Sequence, residues 1–278
     1  MSSSPTALER LRERHAALGA PLCLGIDPRP GALPDGLAPD AGGVESFARG
    51  LVEAAADLVV AVKLNTAYFE ALGATGWAAL ERVRAAIPRG PIVILDAKRG
   101  DIGPSAERYA EALFGRLDAD AVTVQPYLGE DAVEPFLAFP GRLVYLLART
   151  SNPSAGRLQD LLVDGVPLST AVARWAAERW TDGRVGLVVG ATDPAELRRL
   201  RADVPSLGFL VPGVGAQGGD LVAAVECSDG TVAPGLVNVS RGIAEAATGP
   251  DWPSAASAAA RSWLDGLRKA GATLGATS

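Results

Sequence analysis

The stretch Ile92-Val93-Ile94-Leu95-Asp96-Ala97-Lys98-Arg99-Gly100-Asp101 opens as a strand and closes as a row of charges. Its apolar start is short, continuous and β-branched, the pattern of a parallel strand covered on both faces. A helical stretch, residues 104–116, follows at once, with Pro104 in a first-turn position. The same unit recurs along the chain. Strands are predicted at residues 22–26, 58–64, 92–96, 121–124, 143–148, 186–190, 209–211 and 237–239. Helices are predicted after them at 45–56, 76–87, 104–116, 131–139, 168–180, 194–201, 219–225 and 256–270, with Asp193 placed to cap the one that opens on Pro194. Strand–helix alternation repeated eight times predicts an α/β fold, a (β/α)8 TIM barrel, ahead of a doubly wound open sheet. The chain reads as one barrel domain over 1–278, with 1–20 a helical extension and 244–278 a C-terminal helix region. Two segments break the rhythm: the Pro/Gly-rich residues 27–43 and the long connection 152–167. Both leave strand C-terminal ends, where a barrel builds its active site, and either could serve as a lid.

Composition narrows the function classes. Hydrophobic residues make up 48% and charged residues 21%, which fits a chain with a sizeable core and excludes collagen-like, disulfide-scaffold and disordered classes. No run of apolar residues is long enough to span a membrane, and the Ser-rich, then charged N-terminus lacks a signal-peptide core. A net charge of -6 argues against nucleic acid as a partner, while leaving room for a local phosphate pocket. Cys23 and Cys227 lie in or near apolar segments and read as buried free thiols of a cytoplasmic protein. The single histidine, His15, lies in a charged N-terminal segment, so a serine–histidine triad has no base and a His-rich zinc site no ligands.

Lysine is scarcer than arginine. Lys63, Lys98 and Lys269 are the three lysines among 26 basic residues. Lys269 falls in the C-terminal helix, but Lys63 and Lys98 fall at strand ends. A compact ammonium can deliver a proton where a guanidinium cannot. Side chains two apart on a strand share a face, so Asp96 and Lys98 are expected to point the same way. Neighbouring strands one, two and three would bring Asp27, Lys63, Asp96, Lys98 and Asp101 to one rim. A structural tether accounts for any single pair among them, but five charges on the catalytic rim carry a desolvation cost that function explains better. Flanking carboxylates favour the charged form of Lys98, making it an acid at neutral pH and not a Schiff-base nucleophile.

A second cluster, Val211-Pro212-Gly213-Val214-Gly215-Ala216-Gln217-Gly218-Gly219-Asp220, contains a literal GxGxxG. The dinucleotide fingerprint also needs an acidic residue at the end of the next strand, and here that strand ends Val239-Ser240-Arg241-Gly242. A Gly-rich loop after strand seven and an arginine after strand eight instead match the usual barrel phosphate site, with backbone N–H groups at helix N-termini and Arg241 clamping the anion. Strand five ends Arg149-Thr150-Ser151-Asn152, polar groups able to read the edge of a heterocycle or simply to form a turn.

The string Asp96-Ala97-Lys98-Arg99-Gly100-Asp101-Ile102, with Lys63 before it and the Gly-rich loop and Ser240-Arg241 after it, resembles the orotidine 5′-phosphate decarboxylase family, most closely its longer bacterial branch (type 2). The resemblance runs from about Leu22 to Ile243. It implies a carboxy-lyase of de novo pyrimidine biosynthesis that converts orotidine 5′-phosphate to uridine 5′-phosphate and carbon dioxide without metal or organic cofactor. It further implies that Lys98 protonates C6, that Asp96 lies against the substrate carboxylate, and that Lys63 and Asp27 hold the ribose hydroxyls. Asp101 is expected to reach into the partner's site of a homodimer, with Ser105 near the same interface. Ser151 would read the base edge, and Gln217, with the adjoining Gly218, and Arg241 would bind base and phosphate. Ser240 departs from the glycine frequent in the family, a change a backbone contact survives. Superfamily relatives that act on sugar phosphates through a metal-bound enediolate share the D-x-K-x-x-D string but carry a glutamate near strand two's end, where this chain has Lys63. A nucleotide-binding barrel without catalysis is the non-enzyme alternative.

Overall fold

A computed structural model describes residues 4–215 and 217–275. Ala216 of the Gly-rich loop, and residues 1–3 and 276–278 of the expected terminal extensions, lie outside the described residues. Eight parallel strands close into a barrel: β1 Leu22–Ile26, β2 Ala61–Asn65, β3 Ile92–Arg99, β4 Ala121–Val124, β5 Leu143–Arg149, β6 Val185–Val189, β7 Phe209–Pro212 and β8 Leu236–Val239. Each strand pairs with its neighbours in sequence, and β8 returns to β1 through the register Leu22 to Val237. The main helices are α1 Ala7–Leu18, α2 Ala41–Ala55, α3 Gly73–Ala86, α4 Gly103–Ala110, α5 Leu168–Arg179, α6 Pro194–Asp203, α7 Leu221–Ser228 and α8 Trp252–Gly275.

Strand periodicity divides the interior in two. Leu24, Val62, Leu95, Val122, Val144 and Leu187 pack outward with the helices in the larger core. Cys23, Ala61, Ile94, Ala121, Tyr145 and Leu210 form a separate luminal cluster, joined by Leu8 and Leu11 of α1. α1 closes the N-terminal mouth of the barrel. It is held by a Thr6–Glu9 capping box, by Arg14 donating to the Val59 carbonyl at 2.6 Å, by Arg12 donating to the Val232 carbonyl at 2.6 Å, and by an Arg10–Asp120 ion pair. With that end plugged by apolar packing, the polar residues two positions further along the strands collect at the other end.

Several boundaries differ from the sequence-based expectation. α2 starts at Ala41, not residue 45, because the Asp40 carboxylate accepts from the N–H groups of Gly42 and Gly43 and so offsets their poor helix propensity. Residues 56–58 end that helix as a 3-10 turn, and β2 therefore begins only at Ala61. The helix expected at 131–139 is a 3-10 turn, Glu130–Ala132, and a single helical turn, Glu134–Leu137. Pro135 is tolerated there because a first-turn position needs no N–H. Within residues 152–167 lie a helical turn, Gly156–Gln159, and a small hairpin pairing Leu162–Val163 with Val166–Pro167. Asp164 and Gly165 both have positive φ (50° and 82°), as a type I′ turn requires.

Candidate active site

The strand C-terminal ends and their loops enclose a cavity of about 840 Å³. Its floor is the upper inward layer of the barrel: Lys63 of β2, Asp96 of β3, Thr123 of β4, Leu147 of β5, Val188 of β6, Leu210 of β7 and Asn238 of β8. Strand parity puts these side chains there, each lying two residues beyond a luminal apolar neighbour in β2, β3, β4, β5 and β8.

Four of the charges expected on this rim form one continuous row. The Lys63 ammonium lies 3.9 Å from Asp27 Oδ1 and donates to Asp96 Oδ2 at 2.8 Å, while Lys98 donates to Asp96 Oδ1 at 2.6 Å. The Lys63 side chain is 6% exposed and that of Lys98 is 46% exposed, so one ammonium is set into the floor and the other stands out in the cavity. Burial by itself would push the Lys63 ammonium down, but the Asp96 and Asp27 carboxylates outweigh it and hold Lys63 above the ordinary lysine value. Burial would likewise push Asp96 up, yet Lys63 and Lys98 hold its carboxyl well below the usual carboxylate range. Lys63 and Asp96 therefore both stay charged across the neutral range. Among the described residues Asp27 Oδ1 is buried without a hydrogen-bond partner, so it is free to accept one. Beneath the row, burial pushes the Cys23 thiol up to about 12, so it stays protonated, with its sulfur 3.7 Å from Asn238 Oδ1.

The opposite side of the cavity is built by backbone. Gly213 and Gly215 adopt φ of 103° and 74°. Ser151 and Gln217 converge over Gly213, where a Cβ would lie 3.4 Å from the Ser151 Cβ and 3.0 Å from Gln217 Oε1. Arg241 is exposed at the cavity wall and forms no ion pair among the described residues. Trp263 of α8 underlies both loops. Its indole N–H donates to the Gly242 carbonyl at 3.1 Å, and Cβ atoms on Gly215 or Gly242 would collide with its ring at 2.9 and 2.7 Å. The helix after the glycine loop is capped by Asp220, whose carboxylate accepts from the Ala223 N–H.

Of the ten site residues expected from the sequence, Asp27, Lys63, Asp96, Lys98, Ser151, Gln217 and Arg241 line this cavity. Asp101, Ser105 and Gly218 do not. Asp101 accepts from the Ile102 N–H at 2.8 Å, Ser105 is exposed on α4, and the Gly218 N–H donates to the Gly215 carbonyl. Sequence reading missed Thr123, Asn238 and Trp263. The first two were recoverable as inward positions in β4 and β8; Trp263 carried no local signal. Among the described residues no group of three or more His, Cys, Asp and Glu side chains is placed to hold a metal ion, and no helix is long and apolar enough to cross a membrane.

Fold and rim together define a class: a (β/α)8 enzyme with a row of fixed charge at one end of its site and a glycine loop and an exposed arginine at the other. The chain belongs to the Orotidine 5'-phosphate decarboxylase / HUMPS family, which residues 20–252 match. It is 51% identical over 252 residues to an orotidine 5′-phosphate decarboxylase of Roseiflexus castenholzii, covering 90% of this chain and 92% of that one. It is 46% identical over 274 residues to one of Paracidovorax citrulli, covering 95% and 99%. Among solved structures, the OMP decarboxylase of Leishmania donovani superposes with a TM-score of 0.81 at 40% identity, over 95% of this chain and 98% of that one.

Proposed function

We propose that this protein converts orotidine 5′-phosphate to uridine 5′-phosphate and carbon dioxide, closing de novo pyrimidine biosynthesis. One observation carries the reading: Asp96 is gripped by two ammoniums, and one of them, Lys98, stands in the cavity. Cleavage of the bond between C6 and the substrate carboxylate leaves its electron pair on an sp2 carbon with little delocalisation. Lys98 Nζ stabilises that charge from a position already set and then transfers its proton to C6, leaving a neutral amine that solvent reprotonates. Asp96, beside the departing carboxylate, disfavours the charged ground state more than the neutral product. Lys63 and the unpartnered Asp27 Oδ1 suit ribose hydroxyls. Ser151 and Gln217 suit the base edge, and Arg241 with the glycine loop suits the phosphate. No step calls on a metal or organic cofactor.

The direct test is ultraviolet absorbance of orotidine 5′-phosphate incubated with purified protein and EDTA. The orotate band is expected to give way to that of uridine; an unchanged spectrum after prolonged incubation defeats the reading. Arg241→Ala is expected to raise KM by about 10- to 100-fold, the range for losing a charge-assisted contact, with a smaller change in kcat. Equal losses in kcat and kcat/KM would move Arg241 out of this role.

The reading includes a homodimer. The segment after β3 that carries Asp101 and Ser105 also exposes Ile102 and Tyr109, and the loop after β4 exposes Tyr127 and Leu128, apolar side chains suited to covering by a second copy of this chain, across which Asp101 would complete the neighbouring site. Mixing inactive Lys98→Ala and Asp101→Ala chains is then expected to restore about a quarter of wild-type turnover, since random two-fold pairing rebuilds one intact site in half of the dimers. No recovery on mixing would place Asp101 outside the shared site. The free, buried thiols Cys23 and Cys227 fit a reducing cytoplasm.

A further inference from the structure

We propose that Thr123 is a positioning residue of this site, the group that locks the Asp96 carboxylate and the Lys98 backbone into one rigid unit; the proposal rests on the decarboxylase reading above. Lys98 is not in regular strand geometry. Its φ is 47°, in the left-handed region, and the register between β3 and β4 breaks between Leu95 and Arg99. Such a conformation in a side-chain-bearing residue persists only where the surroundings over-determine it. The bend takes the Lys98 N–H out of the strand ladder, and Thr123 Oγ1 accepts it at 2.9 Å. The same hydroxyl donates its proton to Asp96 Oδ1 at 2.9 Å, and that oxygen also receives the Lys98 ammonium at 2.6 Å. One hydroxyl can donate and accept at once, so a closed ring runs from the Lys98 backbone through Thr123 and Asp96 to the Lys98 side chain.

Packing alone does not account for this residue. Thr123 is 1% exposed, sits between Val122 and Val124 in β4, and occupies a site where valine has the same shape. A buried hydroxyl there is favourable because two polar groups need it. The consequence for the reaction is specific. Fixed charges accelerate a step to the extent that they need not reorient as it proceeds. Without the ring, Asp96 gains rotameric freedom and the Lys98 bend loses its support, so the proton donor is presented less often in line with C6. Substrate affinity, set mainly by the phosphate cradle across the cavity, should change little.

Thr123→Val removes both hydrogen bonds at constant shape. It is expected to lower kcat by about 10- to 100-fold, the range for leaving buried polar groups unpaired, with KM changed less than about threefold. Thr123→Ser keeps the hydroxyl and is expected to recover most of the lost kcat. Binding of uridine 5′-phosphate, measured by calorimetry, checks that the valine variant is folded. Should that variant fail to fold, Thr123→Ala and Thr123→Ser form the deciding pair, the serine variant retaining the higher kcat. A folded valine variant with kcat within twofold of wild type overturns the proposal, as does a serine variant no faster than alanine. Wild-type protein that leaves orotidine 5′-phosphate unchanged would instead overturn the decarboxylase reading, so the two failures are distinguishable.

Discussion

Lys98→Ala is expected to lower kcat for orotidine 5′-phosphate by about 10⁴-fold or more, because one group supplies both charge stabilisation and the proton. Its binding of uridine 5′-phosphate should survive. The Lys98 side chain is 46% exposed, and its removal leaves Asp96 still paired with Lys63 at 2.8 Å and with the Thr123 hydroxyl at 2.9 Å. The floor of the site therefore stays intact while the reacting face loses its donor. Stopped absorbance assays and calorimetry on the same preparation separate the two effects. A variant that turns over within about tenfold of wild type, the scale of a single weak contact, would remove Lys98 from the protonation step.

Asp96→Ala should act on folding as well as on turnover. It leaves the Lys63 ammonium, 6% exposed, with only Asp27 at 3.9 Å as a counter-charge. Removing one partner of a buried pair costs about 3–5 kcal/mol, far more than an intact pair contributes, because the remaining charge is stranded in a poor solvent. Urea unfolding at pH 7 measures the loss, and a change below about 1 kcal/mol, the range of exposed pairs, would mean that the row is effectively solvated. The pH dependence has a definite sign. In the wild type the Asp96 carboxyl lies below its unfolded value, so its contribution is present above about pH 4 and is lost as pH falls through the folded value. The Asp96 contribution to the stability gap between wild type and Asp96→Ala should thus hold steady from about pH 5 to 8 and shrink below about pH 4. Lys63, held above its unfolded value, contributes fully below about pH 10 and loses that contribution only in stronger alkali, outside the same window.

The architecture was legible because parallel strands buried on both faces must be continuous apolar runs, and each predicted run overlaps a barrel strand. Boundaries failed where a local cap or turn overrode propensity, as at Asp40 before two glycines and at Pro135 in its short helical turn. The Asp164-Gly165 hairpin had a readable signature, and its two-residue strands are too short to show periodicity. In the site, charge made Asp27, Lys63, Asp96 and Lys98 conspicuous in the chain, since unpaired charges at strand ends demand an explanation. Thr123 and Asn238 were legible only as inward strand positions, because neutral polar residues within apolar strands look like ordinary packing until their partners are known.

The amino-acid sequence alone determined the barrel, the rim that carries chemistry and the sign of each charge on it, because strand parity and desolvation cost act on residues one at a time or two apart. Only the tertiary structure decided which charges touch. It joined Lys63 and Lys98 through the two oxygens of one carboxylate, left Asp101 and Ser105 outside the cavity of their own chain, bent Lys98 into a left-handed turn and closed that turn with a hydroxyl from the next strand. The cross-strand contacts among them depend on register and on distances of about 3 Å between residues 25 or more positions apart, at which hydrogen bonds form or fail.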